Sequence, residues 1–175
     1  MLFKMLPSTI IKDFLKSEIS SSCRVLDIGC GEGSSAVYLA STLGCTVEGI
    51  DLDKGKLHRA LEKFDESSAK GLVLCHFCDS RKIDEKFSNE SFDCVIIIHA
   101  LHHLSEISEV LSKSHNVLKF GGKIIIGEYN QSYGESRDNC PRFSPKKINS
   151  MLKTAGFKEI KQKLFDNLVM TIALR

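Results

Sequence analysis

Three acids stand at the ends of three short apolar runs, and a glycine cluster follows the first. Val25-Leu26-Asp27-Ile28 leads into Gly29-Cys30-Gly31-Glu32-Gly33-Ser34. Asp51 closes Val47-Glu48-Gly49-Ile50, and Asp79 follows Leu72 to Cys78. Glycines at alternate positions admit positive φ and let a ligand approach the main chain. A dinucleotide fingerprint, G-x-G-x-x-G, needs its third glycine where Ser34 stands, and Gly33 comes one place early. The pattern here is D-x-G-x-G-x-G. An acid two residues before the first glycine opposes a pyrophosphate, which seeks amide donors and positive potential. It suits a cation, and S-adenosyl-L-methionine carries both a sulfonium and an ammonium. Asp51 is placed to accept from both ribose hydroxyls of either cofactor. Asp79 is placed to accept from an adenine amino group. Asp27 can instead hold the glycine loop by accepting backbone amides. Asp53 reads more readily as a helix cap than as a second ribose ligand.

These acids need strands to carry them. Arg24 to Ile28 reads as a strand, then a helix spans Ser34 to Leu43. Cys45 to Ile50 is a second strand with a helix near Lys54 to Glu66, and Leu72 to Phe77 is a third strand. Phe92 to Ile98 is the fourth and most apolar; a helix carrying Ile107, Val110, Leu111, His115 and Leu118 at helical spacing comes next. Lys123 to Glu128 is the fifth strand. Near-continuous apolar strands separated by helices predict a parallel sheet covered on both faces. The tail differs. Ser144-Pro145 starts a helix that runs to about Ala155 and stops at Gly156. Phe157 to Lys163 and Leu168 to Leu174 follow with only Asp166-Asn167 as a turn, so they are expected as an antiparallel pair at the sheet's edge. Asn130 to Phe143 is the least regular stretch, and a long loop in a compact domain is often functional.

Size and charge fit this plan. The chain has 175 residues, 42% apolar and 26% charged, which is one globular domain and excludes disorder or a fibre. A net charge of +2 is too mild to demand a polyanionic partner. No apolar run approaches the ~20 residues that span a bilayer. Met1 to Lys16 is broken by Lys4, Pro7, Lys12 and Asp13 and lacks a signal-peptide core. Seven cysteines, an odd number mostly within apolar segments, read as small hydrophobes. The expected compartment is the cytoplasm.

Taken in order, the segments Val25 to Gly33, Val47 to Asp53, Cys78-Asp79-Ser80, Ser91 to Val95, Leu101-His102-His103-Leu104, Leu118 to Lys123, and Phe143-Ser144-Pro145 through Phe157 resemble one family. The chain is similar, over essentially its whole length, to the class I S-adenosylmethionine-dependent methyltransferases. Within them it is most similar to the small-molecule branch that includes ubiquinone- and menaquinone-pathway enzymes. The resemblance implies a single domain over 1–175. It implies a three-layer α/β/α sandwich around a Rossmann-like, seven-stranded, mainly parallel sheet, order 3-2-1-4-5-7-6 with strand 7 antiparallel. It implies methyl transfer from S-adenosyl-L-methionine, leaving S-adenosyl-L-homocysteine. It places Gly29, Cys30, Gly31 and Gly33 around the methionine part, Asp51 on the ribose, Asp79 at the adenine and His99 near the methionine end. With Asp27, Leu52, Cys78 and Ser80 these complete the expected cofactor-binding set.

Other features yield to plainer readings. Cys75-His76-Phe77-Cys78 has C-x-x-C spacing, but no second C-x-x-C exists to complete a zinc site, and Cys75 and Cys78 in a strand would point to opposite faces. Core packing is expected and no metal. His102-His103 suggests a general base, but the resemblance favours a pair that the family often carries at this turn simply as structure. Cys140-Pro141 is the nucleophile dipeptide of cytosine-C5 methyltransferases, but there it follows the fourth strand, where this chain has His99-Ala100-Leu101. No N-P-P-Y-like tetrapeptide occupies that place either.

The catalytic residue is left unknown; His103, Glu128 and Tyr129 are candidates for the acceptor side, at the ends of strands four and five. From Lys119 onward eleven basic residues face five acids, which keeps RNA, or protein, as a rival acceptor. A small molecule is favoured, because the sheet consumes nearly all the chain. A third reading is a non-catalytic cofactor-binding scaffold. Only the N-terminal helix and the Asn130–Phe143 loop are available as a lid, so a homo-oligomer or a partner subunit completing the site is a further expectation.

Overall fold

A strand covered on both faces needs no polar alternation, and the apolar runs become the strands of one sheet. A computed structural model describes residues 7–65, 69, 71–130 and 142–175. Its strands are β1 (Arg24–Ile28), β2 (Thr46–Asp51), β3 (Val73–Phe77), β4 (Phe92–Ile98), β5 (Leu118–Tyr129), β6 (Lys158–Phe165) and β7 (Leu168–Leu174). Their order is 3-2-1-4-5-7-6. β1 to β5 pair in parallel, and β7 lies antiparallel to both β5 and β6. The tail hairpin is therefore at the edge, as its spacing predicts, with β6 outermost.

Helices cover both faces. α1 (Pro7–Glu18), α2 (Ser34–Leu43) and α3 (Lys54–Asp65) lie on one side, where Ile11, Leu15 and Leu39 pack on Val25, Ile96 and Met170. The short α4 (Ile83–Lys86), α5 (Ile107–Val117) and α6 (Pro145–Thr154) lie on the other, where Leu111 and Ile148 pack on Leu26, Val95 and Ile124. Along β4, Cys94 and Ile96 face the first layer while Val95 and Ile97 face the second, the two-residue period of a strand. Ser144 caps α6 by accepting from the Lys147 amide at 3.2 Å, with Pro145 in the first turn. Asp53 Oδ1 likewise accepts from the Lys56 amide at 3.0 Å, which makes it the cap of α3.

Some boundaries depart from the sequence reading. β5 begins at Leu118 rather than Lys123, because Leu118 already pairs with Phe92 before a register shift on β4 between Phe92 and Cys94. Single helical turns at Ser80–Lys82 and Leu101–His103 are too short to show a period. Residues 131–141 of the Asn130–Phe143 loop, with Cys140-Pro141, lie outside the described residues, as do residues 1–6. Among the described residues no helix is long and apolar enough to cross a membrane.

Candidate functional site

The glycine turn leaves β1 and is tied to β2. The Gly29 and Cys30 amides both donate to the Ile50 carbonyl, at 2.8 and 3.1 Å. The Gly31 amide donates to Asp51 Oδ2 at 2.8 Å, and Asp51 Oδ1 accepts from the Asp53 amide at 2.8 Å. Asp51 thus braces the turn and keeps lone pairs for a ligand, since each carboxylate oxygen has two. Two of the glycines are required by space as well as by conformation. At Gly29 (φ +71°) an added Cβ would stand 2.5 Å from Ala100 Cβ; at Gly33 (φ +72°) it would stand 2.5 Å from the Phe64 ring. Gly29 lets the turn meet the segment after β4, and Gly33 seats α2 on α3.

A cavity of about 590 Å³ opens over this turn, at the carboxyl ends of β1, β2 and β4. That is an ordinary size for a ligand site, in the place where open α/β sheets bind ligands. Of the residues singled out from sequence, Gly29, Gly31, Asp51, Leu52, Cys78, Ser80, His99 and His103 line it. Leu52 is 58% exposed, an apolar surface offered to the cavity.

Asp27 lies behind the turn, 2% exposed, and its Oδ2 has no hydrogen-bond partner. It does not brace the loop through that oxygen. Burial first, and the nearby Asp51 second, push its pKa up to about 7. A buried carboxylate without a partner is costly unless a cation reaches it.

His99 holds a left-handed backbone (φ +51°) just past β4. Its Nδ1 is buried and unpartnered, its ring stacks on Tyr129 at 4.4 Å, and burial lowers its pKa to about 4. The ring is neutral at physiological pH.

Besides Asp27 and Tyr129, four more of the named residues lie off this cavity. Cys30 is buried with its Sγ 3.8 Å from Cys75 Sγ, both sulfurs resting over Gly49, whose side a Cβ would crowd at 2.8 Å. Gly33 is the packing glycine already described. Asp79 is not among the cavity-lining residues; it caps the turn at Ser80–Lys82 and is gripped by the Arg81 guanidinium at 2.5 Å, which holds its carboxyl down at about 2. Glu128, expected at the acceptor mouth, is instead 1% exposed and turned into the fold. Its carboxylate accepts from the Leu101 amide at 2.7 Å and pairs with His102 Nδ1 at 2.8 Å. It clamps the segment that carries His99, Ala100, His103 and Leu104 to the cavity.

Cys75, His76 and Cys78 diverge. Cys75 meets Cys30, His76 pairs with Glu48 at 2.6 Å, and Cys78 lies beyond the end of β3, where its thiol reaches the Asp79 carbonyl. Sequence reasoning missed Glu32, Ser34 and Lys56 on the cavity wall. Glu32 is held there by Lys63 at 2.5 Å and Arg59 at 2.8 Å, and these pairs bring its pKa to about 2. An acid inside the glycine run, with cations one turn apart on α3, was the available signal.

The comparisons agree with this geometry. A family described as "Methyltransferase domain" matches residues 19–170. The chain is 33% identical over 129 residues to phosphoethanolamine N-methyltransferase 2 of Caenorhabditis elegans, covering 74% of this chain and 28% of that protein. It is 28% identical over 106 residues to 27-O-demethylrifamycin SV methyltransferase of Amycolatopsis mediterranei, covering 61% and 38%. The chain thus spans only about a third of the length of these relatives. Among solved structures, a SAM-dependent methyltransferase from Aquifex aeolicus superposes with a TM-score of 0.80 at 22% identity, over 98% of this chain and 90% of that one. Phosphoethanolamine N-methyltransferase 2 of Haemonchus contortus, in complex with S-adenosyl-L-methionine, gives 0.79 at 22% identity, over 97% and 52%. The sheet order, the glycine turn braced by Asp51 and a family match over 19–170 lead to one conclusion: the chain belongs to the methyltransferase-domain family, in its class I fold.

Proposed function

We propose that this chain transfers a methyl group from S-adenosyl-L-methionine to a small-molecule acceptor and releases S-adenosyl-L-homocysteine, a reaction of class EC 2.1.1.-. Asp27 carries the reading. Its Oδ2 is buried without a partner behind the glycine turn, and burial first and the Asp51 charge second raise the carboxyl to about 7. Asp51 on the cavity wall adds a second carboxylate close to Asp27, whereas Glu32 is paired with Lys63 and Arg59. A pyrophosphate would meet repulsion there, whereas a sulfonium and an ammonium would be drawn in. The family match and the relatives' names support the same reading.

When bound, S-adenosyl-L-methionine supplies a methyl group already activated by its sulfonium. The chain's part is to bind, orient and exclude water. Asp51 would take the ribose hydroxyls with its free lone pairs, while the Gly31 amide holds its carboxylate still. Leu52 offers the apolar surface beside it. The clamp from Glu128 fixes the His99–Leu104 wall, so nucleophile and methyl group can be held in line. His103 and Tyr129 remain candidates for the acceptor side.

The test is to incubate the protein with methyl-labelled S-adenosyl-L-methionine and a cell extract divided into metabolite, RNA and protein fractions. Label is expected in the metabolite fraction. Label confined to RNA or protein would overturn the small-molecule assignment.

A further inference from the structure

A second cavity of about 280 Å³ opens between α1 and the carboxyl ends of β4 and β5. Ile11 and Leu15 of α1, buried in the core, and Ile98 give it an apolar lining. Its far wall is the stacked His99–Tyr129 pair, and Tyr129 is backed by the Arg142 guanidinium 5.4 Å from its ring centre. Ser34 and His99 line both this cavity and the larger one. The two spaces therefore adjoin at the glycine turn.

Their chemistry differs sharply. The larger cavity carries Asp51, Glu32 and Lys56; among the described residues that line the smaller one there is no carboxylate. Its single cation, Lys12, lies over the Tyr38 ring at 5.4 Å. His99 stays neutral there, as described above. An ammonium group would enter with no carboxylate counter-charge among the described lining residues. Size narrows the choice further. An apolar cavity of about 150 Å³ holds one benzene, so this one suits two fused rings.

We propose that this second cavity receives the methyl acceptor, and that the acceptor is an uncharged, hydroxylated ring compound of one or two rings rather than an amine bearing a positive charge. The proposal rests on the methyl-transfer reading. In the step, an acceptor oxygen lone pair forms the new O–CH3 bond as the CH3–S bond breaks. The sulfur keeps that electron pair and becomes a neutral thioether, and the hydroxyl proton leaves to water.

2-Naphthol and phosphoethanolamine are the probes, titrated calorimetrically into the full chain saturated with S-adenosyl-L-homocysteine. Reactions with S-adenosyl-L-methionine are read by mass spectrometry. 2-Naphthol is expected to bind and to yield 2-methoxynaphthalene, and phosphoethanolamine to do neither. Ser8→Trp, at an exposed position lining only the smaller cavity, and Ser35→Leu should each weaken 2-naphthol tenfold or more while leaving affinity for S-adenosyl-L-homocysteine within twofold. Methylation of phosphoethanolamine, or 2-naphthol binding unmoved by both variants, would overturn the acceptor class. So would a protein that binds S-adenosyl-L-homocysteine and ignores 2-naphthol. A protein that binds neither sulfur nucleoside would fail at the earlier step, the methyl-transfer reading itself.

Discussion

Asp27 couples the fold's stability to its ligand. Its carboxyl titrates at about 7 in the folded chain and near 4 in an unfolded one, so between those values the folded state binds more protons. Stability therefore falls as pH rises from about 4 to about 7 and levels off above. Asp27→Asn removes that slope. The variant is expected to unfold at a higher temperature than the parent at pH 8, by roughly 2–4 °C per kcal/mol recovered. It should also bind S-adenosyl-L-methionine more weakly by about 1.5–3 kcal/mol, the range for a lost charged hydrogen bond. Melting curves at pH 5 and 8 with calorimetry at each would check both; equal affinity in parent and variant would remove Asp27 from the site. Asp27 was legible in sequence because it stands two residues before a glycine run, and Asp51 because it closes the second apolar run. Glu32 was not, since its place on the wall depends on Arg59 and Lys63, 27 and 31 residues away. Nor was the burial of Glu128, whose position after a strand gives no sign of which way the side chain turns.

Between elements, contact decides what a single residue is worth. Gly33 joins α2 to α3, so Gly33→Ala must both strain a left-handed backbone and displace Phe64. A loss of roughly 2–4 kcal/mol is expected from strain and overpacking together, read by denaturant unfolding; an unchanged midpoint would contradict the packing described. Glu128 joins β5 to the turn after β4. Glu128→Ala leaves the Leu101 amide and His102 without their acceptor, and affinity for S-adenosyl-L-homocysteine should fall about tenfold, near 1.4 kcal/mol. Glu128→Gln keeps a carbonyl oxygen for the Leu101 amide and should recover most of it. If Ala and Gln behave alike, the hydrogen bond to Leu101 is not what positions the wall. The strands and long helices were legible to within a residue or two, apart from the start of β5. Their apolar periods are long, whereas the turns at Ser80–Lys82 and Leu101–His103 contain too few residues to show any period.

Across the molecule, the basic tail is divided between surfaces. Lys146 and Lys153 on α6 stand beside Gln162, whose side chain reaches the Pro145 carbonyl, whereas Lys161 and Lys163 of β6 line a groove with Phe14 of α1 on the opposite face. A phosphate backbone tracks one continuous surface, so bulk tRNA should bind weakly. Its affinity should drop by a decade or more between 50 and 200 mM salt, as counterion release dictates for a few contacts. Binding that persists at physiological salt and is lost in the Lys146→Glu, Lys147→Glu double variant would restore the nucleic-acid reading. The cavity over the glycine turn is built for a cationic sulfur nucleoside. Calorimetry at pH 7 in two buffers of different ionisation enthalpy tests it most directly. S-adenosyl-L-methionine should bind in the micromolar range and release a fraction of a proton as Asp27 ionises, a release absent in Asp27→Asn, while NAD gives no heat. NAD binding, with no response to S-adenosyl-L-methionine or S-adenosyl-L-homocysteine, would contradict it.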